Sequence, residues 1–328
     1  MAVAVESVLD VSSMGQQAQD VYSSAPEAFN ADTHLAFRSP AKTYSLSDLG
    51  IDQHKRKAPC NFGVAEPFSF LSKAGVDTLL KELTSETVQK NCKFSTDRTP
   101  CCLRGTSDHS PFIRDLWSSP EVTGIVSAVA GIPLQLGYKY EIAHTNVQVD
   151  SPDESDAPVD NWHYDSIPFV AVTLLTSTEG MTGGETVLQK GDGSEMSVGF
   201  PQAGYLVVLQ GQHVRHLAKR AVSPHGRITM VTGYIPADPL LSDQTVLRVS
   251  KMMSDLPTLF HQWAQYRLER FGKQAQLISQ SFEEKHKETG QLADMEEVKA
   301  WCNNMIQYLQ VTIAEVDKAP IAKYSDTE

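Results

Sequence analysis

The pattern of apolar and polar positions divides the chain into a helical beginning, a middle of short strands and a helical end. Apolar residues at helical spacing predict helices within residues 67–91 and 111–130. Helical spacing returns beyond Pro239, where Gly290 marks the break between two predicted helices. Residues 1–45 show no sustained periodicity, which predicts a loosely ordered N-terminal arm.

The middle of the chain is predicted to fold as an antiparallel sandwich or barrel. Its first strand is residues 134–149, and an acidic loop follows it. Turn residues separate four more strand-like runs: PFVAVTLLTS, GGETVLQ, YLVVLQ and RITMVTGYI. Short strands at this spacing, without helices between them, argue against a doubly wound sheet. The predicted domains are the arm over 1–45, a sheet domain with N-terminal helices over 46–250, and a helical extension over 251–328.

Charge and composition narrow the expected partners. The 328 residues carry a formal net charge of −12, from 40 acidic and 28 basic residues, and no basic run offsets it. Such a surface repels a phosphate backbone, so no nucleic acid is expected as a partner. The sequence shows neither an apolar run of about 20 residues nor the features of a secretion signal, which predicts a cytoplasmic protein without a membrane partner. The C-terminal helices are expected to brace the sheet, with a homodimer surface as the alternative.

A candidate metal-binding pair precedes one of the apolar runs. His163 and Asp165 occupy alternate positions in the segment NWHYDSIPFV. Alternate side chains of an extended chain point to the same side, so this imidazole and carboxylate could hold one metal ion together. An isolated HxD pair is usually structural, so a metal site needs a third ligand. His213 and His216, about fifty residues downstream, are the candidates.

The choice of metal follows from the donor types. Two histidines and one carboxylate on one face of an octahedral iron form the facial triad of non-haem Fe(II) oxygenases. A zinc site would favour a fourth protein ligand or an HExxH helix, and the sequence shows neither. Arg227 lies eleven residues after His216 and opens a predicted strand, with Thr229 pointing the same way. Guanidinium and hydroxyl there can hold the far carboxylate of a 2-oxo dicarboxylic acid that chelates iron at its other end.

His163, Asp165, His216 and Arg227, in this order and strand context, resemble the Fe(II)/2-oxoglutarate-dependent dioxygenase superfamily over roughly residues 134–237. In that superfamily the third metal ligand is a histidine that usually lies at this distance before the arginine. The spacing therefore favours His216 over His213 as the ligand. The segments WHYDSIPFV, GGETVL and RITMVTGYIPADP look more narrowly like a group of fungal 2-oxoglutarate oxygenases. One member of that group closes an aziridine ring on valine on the way to 2-aminoisobutyrate.

The resemblance implies an α+β fold with a double-stranded β-helix, or jelly-roll, core flanked by N-terminal and C-terminal helices. It implies Fe(II), 2-oxoglutarate and O2 as cofactors, with His163, Asp165 and His216 as metal ligands. Arg227 and Thr229 are then expected to bind the far carboxylate of 2-oxoglutarate. Polar side chains of the preceding strand are expected to reach the co-substrate or substrate: Tyr138, Asn146 and Gln148.

The predicted function is oxidation of a C–H bond of a small molecule in secondary metabolism, by hydroxylation, desaturation or ring closure. A branched aliphatic amino acid such as valine is the narrower expectation. It comes from the fungal resemblance and from polar Asn146 and Gln148 beside the predicted iron. Two alternatives stay open, a non-catalytic jelly-roll binding module and a cupin-type metalloenzyme without 2-oxoglutarate. The complete triad argues against the first, and Arg227 argues against the second.

Overall fold

The structure is a computed structural model and describes residues 27–95, 101–148, 160–247 and 249–317. The helices are α1 (Ala31–His34), α2 (Lys73–Thr84), α3 (Glu86–Cys92), α4 (Thr106–His109), α5 (Pro111–Ser118), α6 (Pro120–Ala130), α7 (Leu256–Thr289) and α8 (Met295–Asp317), with short 3-10 helices at Lys139–Glu141 and Val249–Met253. The strands are β1 (Thr43–Ser45), β2 (Phe62–Ala65), β3 (Phe68–Ser69), β4 (Lys93–Phe94), β5 (Cys102–Leu103), β6 (Leu134–Leu136), β7 (His144–Gln148), β8 (Asp160–His163), β9 (Phe169–Leu174), β10 (Thr182–Gly183), β11 (Thr186–Gln189), β12 (Glu195–Val198), β13 (Tyr205–Leu209), β14 (His216–Ala218), β15 (Ala221–Val222) and β16 (Arg227–Pro236).

A large antiparallel sheet runs through the middle of the described structure. Its order is β1-β2-β13-β9-β16-β7-β5-β4, with β3 beside β13 and β6 beside β16. Alternate residues of its central strands point to opposite faces, as the strand period of two requires. Phe169 and Ala171 of β9 pack against the N-terminal helices, whereas Val170 points into the layer on the other face. The sheet therefore separates a helical layer from an interior layer.

A smaller antiparallel sheet covers the interior layer, with the order β12-β11-β14-β8. Leu188 of β11 and Val198 of β12 share an apolar cluster with Val170, Val207 and Leu209 of the large sheet. The two sheets therefore face each other across a common core. The antiparallel sheets predicted for the middle of the chain, and the helices predicted on both sides of them, are confirmed.

Serine caps define the N-terminal helices more finely than the hydrophobic pattern does. Each capping side chain accepts a hydrogen bond from the backbone N–H three residues later, at Ser72, Ser85, Ser110 and Ser119. The helix predicted within 111–130 is divided at Ser119, because a residue that precedes a proline disfavours helical backbone. The helix predicted within 67–91 begins only at Lys73, after β3, and Ser85 divides it into α2 and α3.

The strand predicted over 134–149 is interrupted in the structure. β6 pairs with the last residues of β16, and β7 pairs with its first residues. Between them the chain leaves the sheet through the 3-10 turn Lys139–Glu141, and Ala143 takes a left-handed backbone with a φ of 58°. A left-handed conformation is uncommon for a residue other than glycine, and it breaks the extended chain. This detour brings Glu141 to the edge of the interior cavity.

The N-terminal domain limit predicted at residue 45 falls at the end of β1, which pairs with β2. His34, upstream of β1, is buried. Residues 27–45 therefore belong to the folded body, and the remainder of the predicted arm, residues 1–26, lies outside the described residues.

At the C-terminal end, Gly290 terminates α7 with a φ of 71°, at the predicted break between the two helices. The first turns of α7 pack on the interior cluster through Leu259, Trp263 and Tyr266. In the described part of the chain, no helix combines the length and apolar character needed to cross a bilayer. The homodimer through these helices stays a prediction.

Candidate metal centre

The three predicted metal ligands meet at one end of the interior cavity. β8 ends at His163, β14 begins at His216, and these residues form a cross-strand pair with ring centroids 4.2 Å apart. Asp165 lies two residues after the end of β8. Its Oδ1 lies 3.6 Å from His163 Nε2 and 3.5 Å from His216 Nε2. Strand pairing thus brings together donors that are about fifty residues apart in sequence.

Each histidine ring is oriented by its own strand. His163 Nδ1 lies 2.7 Å from the backbone oxygen of Asn161, and His216 Nδ1 lies 2.9 Å from the backbone oxygen of Val214. A carbonyl oxygen only accepts hydrogen bonds, so each Nδ1 carries a proton. Nε2 is then the nitrogen that faces Asp165. It donates to the carboxylate when it is protonated, and it offers its lone pair to a metal ion when it is deprotonated. This is the arrangement by which proteins prepare histidine as a metal ligand.

The backbone of Asp165 is fixed by a hydrogen bond, whereas one of its carboxylate oxygens has no partner among the described residues. The Asp165 N–H donates to the backbone oxygen of Gly211 at 3.0 Å. A Cβ on Gly211 would collide with the Asp165 carboxylate, so this position requires glycine. Oδ2 of Asp165 is buried and has no hydrogen-bond partner among the described residues. Burial raises the pKa of Asp165, but His216 and His163 lower it further, to below the usual range, so the carboxylate is anionic.

These donors fit a divalent metal ion. The three ligand atoms, one from each residue, all lie within 4.8 Å of one another. Metal bonds of about 2.1 Å place neighbouring octahedral donors about 3 Å apart, so small shifts would close the set around an ion. A buried carboxylate oxygen without a partner is costly in free energy, and a cation would supply the partner. Two histidines and one carboxylate form the donor set typical of non-haem iron, with three positions left open.

The triad lines a cavity of about 210 Å³ between the two sheets. Aliphatic side chains of the large sheet form one wall: Val170, Val172, Val207, Leu209 and Val231. Four side chains that carry a charge at neutral pH also line it: Arg104, Glu141, Asp165 and Arg227. The volume lies below the roughly 300–1,000 Å³ typical of ligand pockets, so the cavity suits a small guest.

Arg227 opens β16 and faces this cavity beside Thr229, whose Oγ1 lies 3.5 Å from Nη1. Nη2 donates to the backbone oxygen of Gly184 at 3.1 Å. Burial lowers the pKa of Arg227 to about 10, an effect that the negative charge of Glu185 opposes, so the side chain stays charged at neutral pH. Within the described ranges no carboxylate forms an ion pair with this guanidinium. The cavity thus holds a cation that no carboxylate of the described residues contacts directly.

A row of hydrogen-bonded side chains, which we call the polar row, lines the cavity beyond Thr229 and consists of Arg104, Glu141, His144 and Asn146. Arg104 Nη1 lies 2.7 Å from His144 Nδ1, and Arg104 Nη2 donates to Glu141 Oε1 at 2.9 Å. His144 Nε2 lies 2.8 Å from Asn146 Oδ1. Sequence reasoning expected Asn146 in the site but missed Arg104 and Glu141. The sequence around these two residues carries no shared signal that could have found them.

Two of the predicted co-substrate residues lie outside the lining of the cavity. Gln148 Nε2 donates to the backbone oxygen of Ala221 at 2.9 Å, and its Oε1 lies 3.4 Å from the Ala221 nitrogen. Its amide therefore joins β7 to β15. Tyr138 is buried, and its hydroxyl donates to Glu141 Oε1 at 3.2 Å. The structure thus gives Gln148 a role in strand pairing and places Tyr138 behind Glu141.

The two candidate histidines of the second segment have different surroundings. His213 lies in the turn before β14, and its Nε2 lies 3.1 Å from the backbone oxygen of Arg56. Burial lowers the pKa of His213, which favours the neutral ring. His216 is the histidine that the structure places beside His163 and Asp165.

No protein-family model matches the sequence, and no curated protein matches it. The non-haem α-ketoglutarate-dependent epimerase SnoN from nogalamycin biosynthesis is 15% identical with a TM-score of 0.43, over 58% of this chain and 83% of that one. The carbocyclase SnoK from the same biosynthesis is 16% identical with a TM-score of 0.42, over 60% and 88%. A 2OG-Fe(II) oxygenase family oxidoreductase from Burkholderia pseudomallei is 14% identical with a TM-score of 0.40, over 64% and 95%.

Proposed function

We propose that the protein is a non-haem Fe(II)/2-oxoglutarate-dependent oxygenase that oxidises a C–H bond of a small molecule. The observation that carries the proposal is the convergence of His163 Nε2, His216 Nε2 and Asp165 Oδ1 at one end of an interior cavity. The second requirement, a site for a carboxylate, is met in the same cavity by the guanidinium of Arg227, which forms no ion pair with a carboxylate of the described residues.

Some residues of the cavity would bind iron and 2-oxoglutarate, and others would exclude water. His163, Asp165 and His216 would hold the iron, and Arg227 with Thr229 would bind the far carboxylate of 2-oxoglutarate. When bound, iron and 2-oxoglutarate supply the activation of O2 and the oxidation of an unactivated C–H bond. The valine-rich wall of the large sheet keeps water away from the reacting carbon.

The fold that we propose with this function is the double-stranded β-helix, as in the Fe(II)/2-oxoglutarate-dependent dioxygenase superfamily. Two facing antiparallel sheets support it. The small sheet supplies His163 and His216, and the large sheet supplies Arg227 and Thr229. The ligands of the metal and of the co-substrate therefore come from opposite sheets and meet in the space between them.

The narrower substrate that we propose is a branched aliphatic amino acid such as valine, in secondary metabolism. The small cavity volume and the five aliphatic side chains of its wall support a short aliphatic substrate. The resemblance of WHYDSIPFV, GGETVL and RITMVTGYIPADP to fungal 2-oxoglutarate oxygenases points the same way. Hydroxylation, desaturation and aziridine ring closure are all compatible with oxidation at one C–H bond.

The test of the proposed function is an anaerobic titration. Fe(II) and then 2-oxoglutarate are added to the purified protein, and the visible charge-transfer band of the iron chelate is recorded. We expect a band in the wild-type protein and none in Asp165→Ala. Iron binding without a band would favour a cupin-type metalloenzyme that does not use 2-oxoglutarate. The absence of iron binding would favour a binding module.

The narrower substrate is tested separately, by adding O2 and each branched-chain amino acid to the loaded enzyme. Succinate above the uncoupled background identifies an accepted substrate. A product lighter by two hydrogens indicates desaturation or ring closure, and one heavier by an oxygen atom indicates hydroxylation. If no amino acid raises succinate above background, the amino-acid substrate is wrong while the iron site stands.

A further inference from the structure

The polar row lies on the same inner face as Arg227, farther along the strands. β7 and β16 pair so that Asn146 lies opposite Thr229 and His144 lies opposite Val231. From Arg227 to Val231 is four residues, or about 13 Å at about 3.3 Å per residue. The cavity therefore has one cation at the Arg227 end and an arginine–glutamate pair at the other.

The hydrogen bonds of the polar row fix the orientation of its members. A guanidinium only donates, so His144 accepts from Arg104 through Nδ1 and carries its proton on Nε2. That Nε2–H donates to Asn146 Oδ1. The row is thus ordered by Arg104, whose side chain is only 2% exposed. A ligand would meet the row at its more accessible members.

Glu141 is the accessible charged member of the row. Its side chain is 12% exposed and lines the cavity. In the part of the chain that the structure describes, the donors to Glu141 are Arg104, Tyr138 and Ser250, and all three bond to Oε1. Oε2 is not among the buried polar atoms that lack a partner, which leaves it accessible from the cavity. A carboxylate with one edge occupied by the fold and one edge free is a receptor for a hydrogen-bond donor.

The remaining edge of Glu141 favours a cationic donor. Burial raises the pKa of Glu141, but Arg104, Ser250 and His144 together lower it below its usual value, so the carboxylate is ionised. A hydrogen bond between an ionised acceptor and a charged donor is stronger than one between neutral groups. An ammonium group on a guest therefore gains more at Glu141 than a hydroxyl or an amide would.

The charges around the cavity limit what else the guest carries. Arg104 and Arg227 contribute two positive charges, and Glu141 and Asp165 contribute two negative charges, so the described lining is neutral. Fe(II) and the dianion of 2-oxoglutarate also cancel each other. A guest of net charge zero leaves no uncompensated charge in the interior, where such a charge is costly. A guest with an ammonium group must then carry an anionic group as well.

We propose that Glu141 binds the ammonium group of the substrate, and that the substrate is a small aliphatic amino acid bound as a zwitterion. The aliphatic part then lies against the valine-rich wall of the cavity. That the guest is a substrate rather than a bound ligand rests on the proposed function. Glu141 is distinct from the metal ligands and from Arg227 and Thr229, so it sets which molecule is accepted.

The first experiment changes the ligand and keeps the protein intact. Calorimetric titrations compare L-valine with 3-methylbutanoate, which lacks the amine, and with 2-methylpropylamine, which lacks the carboxylate. L-Leucine and 4-methylpentanoate form a second pair. The titrations use the metal-free protein and, anaerobically, the protein with Fe(II) and 2-oxoglutarate. We expect at least one amino acid to bind, and to bind at least tenfold more tightly than the analogue that lacks its amine.

The second experiment changes Glu141 and keeps the ligand. Glu141→Gln preserves an oxygen acceptor for Arg104 but removes the charge, so amino-acid affinity should fall at least tenfold while the affinity of the analogue without the amine stays unchanged. Ser250→Ala is the matched control, because it also removes a contact to Glu141 Oε1 but keeps the carboxylate. It should keep the preference for the amine. Circular dichroism and melting curves verify that each variant is folded.

Three results would overturn the proposal: no amino acid binds in either state, the amine contributes less than tenfold in the wild-type protein, or folded Glu141→Gln keeps the wild-type preference. If Glu141→Gln does not fold, the comparison of ligand pairs on the wild-type protein decides alone. The charge-transfer band is recorded on the same preparations. A preference for the amine without a band sinks the proposed oxygenase but not the ammonium site, and a band without that preference does the reverse.

Discussion

Two groups of cavity residues differ in how far the fold satisfies them. In the first, Asp165 Oδ2 has no hydrogen-bond partner and Arg227 has no carboxylate partner among the described residues. In the second, the polar row, Arg104 and Glu141 form a buried ion pair at 2.9 Å, and His144 accepts a further hydrogen bond from Arg104. Among the described atoms of the row, Arg104 Nε is buried without a partner and Glu141 Oε2 is left for a ligand. The first group is thus completed by ligands, whereas the second is largely completed by the fold. Similar residue types can therefore serve mainly binding in one group and mainly stability in the other.

The largest effect is expected from removing a donor at the metal end. His216→Ala should abolish Fe(II) binding, because the two remaining protein donors, His163 and Asp165, hold the ion weakly. His213→Ala should keep bound iron near the wild-type level, because His213 contacts the Arg56 carbonyl instead of the triad. Iron per protein is measured after anaerobic desalting. The opposite pattern of iron content would show that His213 is the ligand and that the assignment of His216 is wrong.

The next effect concerns the stability of the polar row. Arg104→Ala should lower the free energy of unfolding by about 3–5 kcal/mol, because it leaves Glu141 buried without its partner. Arg227→Ala should lower it by less than about 1.5 kcal/mol, the value of an ordinary hydrogen bond. Urea titrations of the metal-free proteins measure both. A loss in Arg227→Ala as large as that in Arg104→Ala would remove the distinction between the two arginines.

The support of the metal end is tested at Gly211. Gly211→Ala should weaken metal binding by about 10- to 100-fold, the usual effect of disturbing the residues that orient a ligand, because the new Cβ displaces the Asp165 carboxylate. Gly124→Ala is the matched control, since a Cβ there meets open space in α6. It should leave metal binding unchanged and stabilise the helix by about 0.5–1 kcal/mol. Competition with a chelator measures the metal affinity, and equal affinities in both variants would contradict the role of Gly211.

An effect of similar size is expected on the binding of the co-substrate. Arg227→Ala should raise the 2-oxoglutarate concentration for half-saturation at least tenfold, because a hydrogen bond to a charged group contributes about 1.5–3 kcal/mol. The half-saturation concentration of Arg227→Lys should lie between those of the wild-type protein and Arg227→Ala. Lysine keeps the positive charge but cannot form two parallel hydrogen bonds to a carboxylate. The charge-transfer band, titrated anaerobically, reports this binding without turnover. An unchanged half-saturation would place the far carboxylate elsewhere.

The metal ligands could be predicted from the sequence because the His163–Asp165 pair is set locally and the spacing to Arg227 favours His216. His163 and Asp165 share a side through the period of two, and the spacing from His216 to Arg227 matches a known arrangement. The division of the second N-terminal helix was also available, since Ser119 before Pro120 is a cap followed by a residue that favours a first helical turn.

The polar row could not be predicted in the same way. Arg104 and Glu141 are 37 residues apart, and they meet only because β5 pairs with β7 and the chain leaves the sheet before β7. The detour depends on a left-handed conformation at Ala143, and alanine gives no sequence signal for it. A continuous strand over 134–149 would bring Tyr138 to the co-substrate. The same detour turns it toward Glu141 instead.

The anchors of the two ligand histidines have a consequence for mutational robustness. Each Nδ1 bonds to a carbonyl two residues upstream, at Asn161 and at Val214, and that carbonyl belongs to the main chain. Every amino acid offers the same carbonyl, so replacing the side chain at either position leaves the acceptor in place. The orientation of both ligands is thus inherited with the strand rather than with any particular residue. Sequences that diverge widely around the triad can therefore keep the same prepared pair of imidazoles.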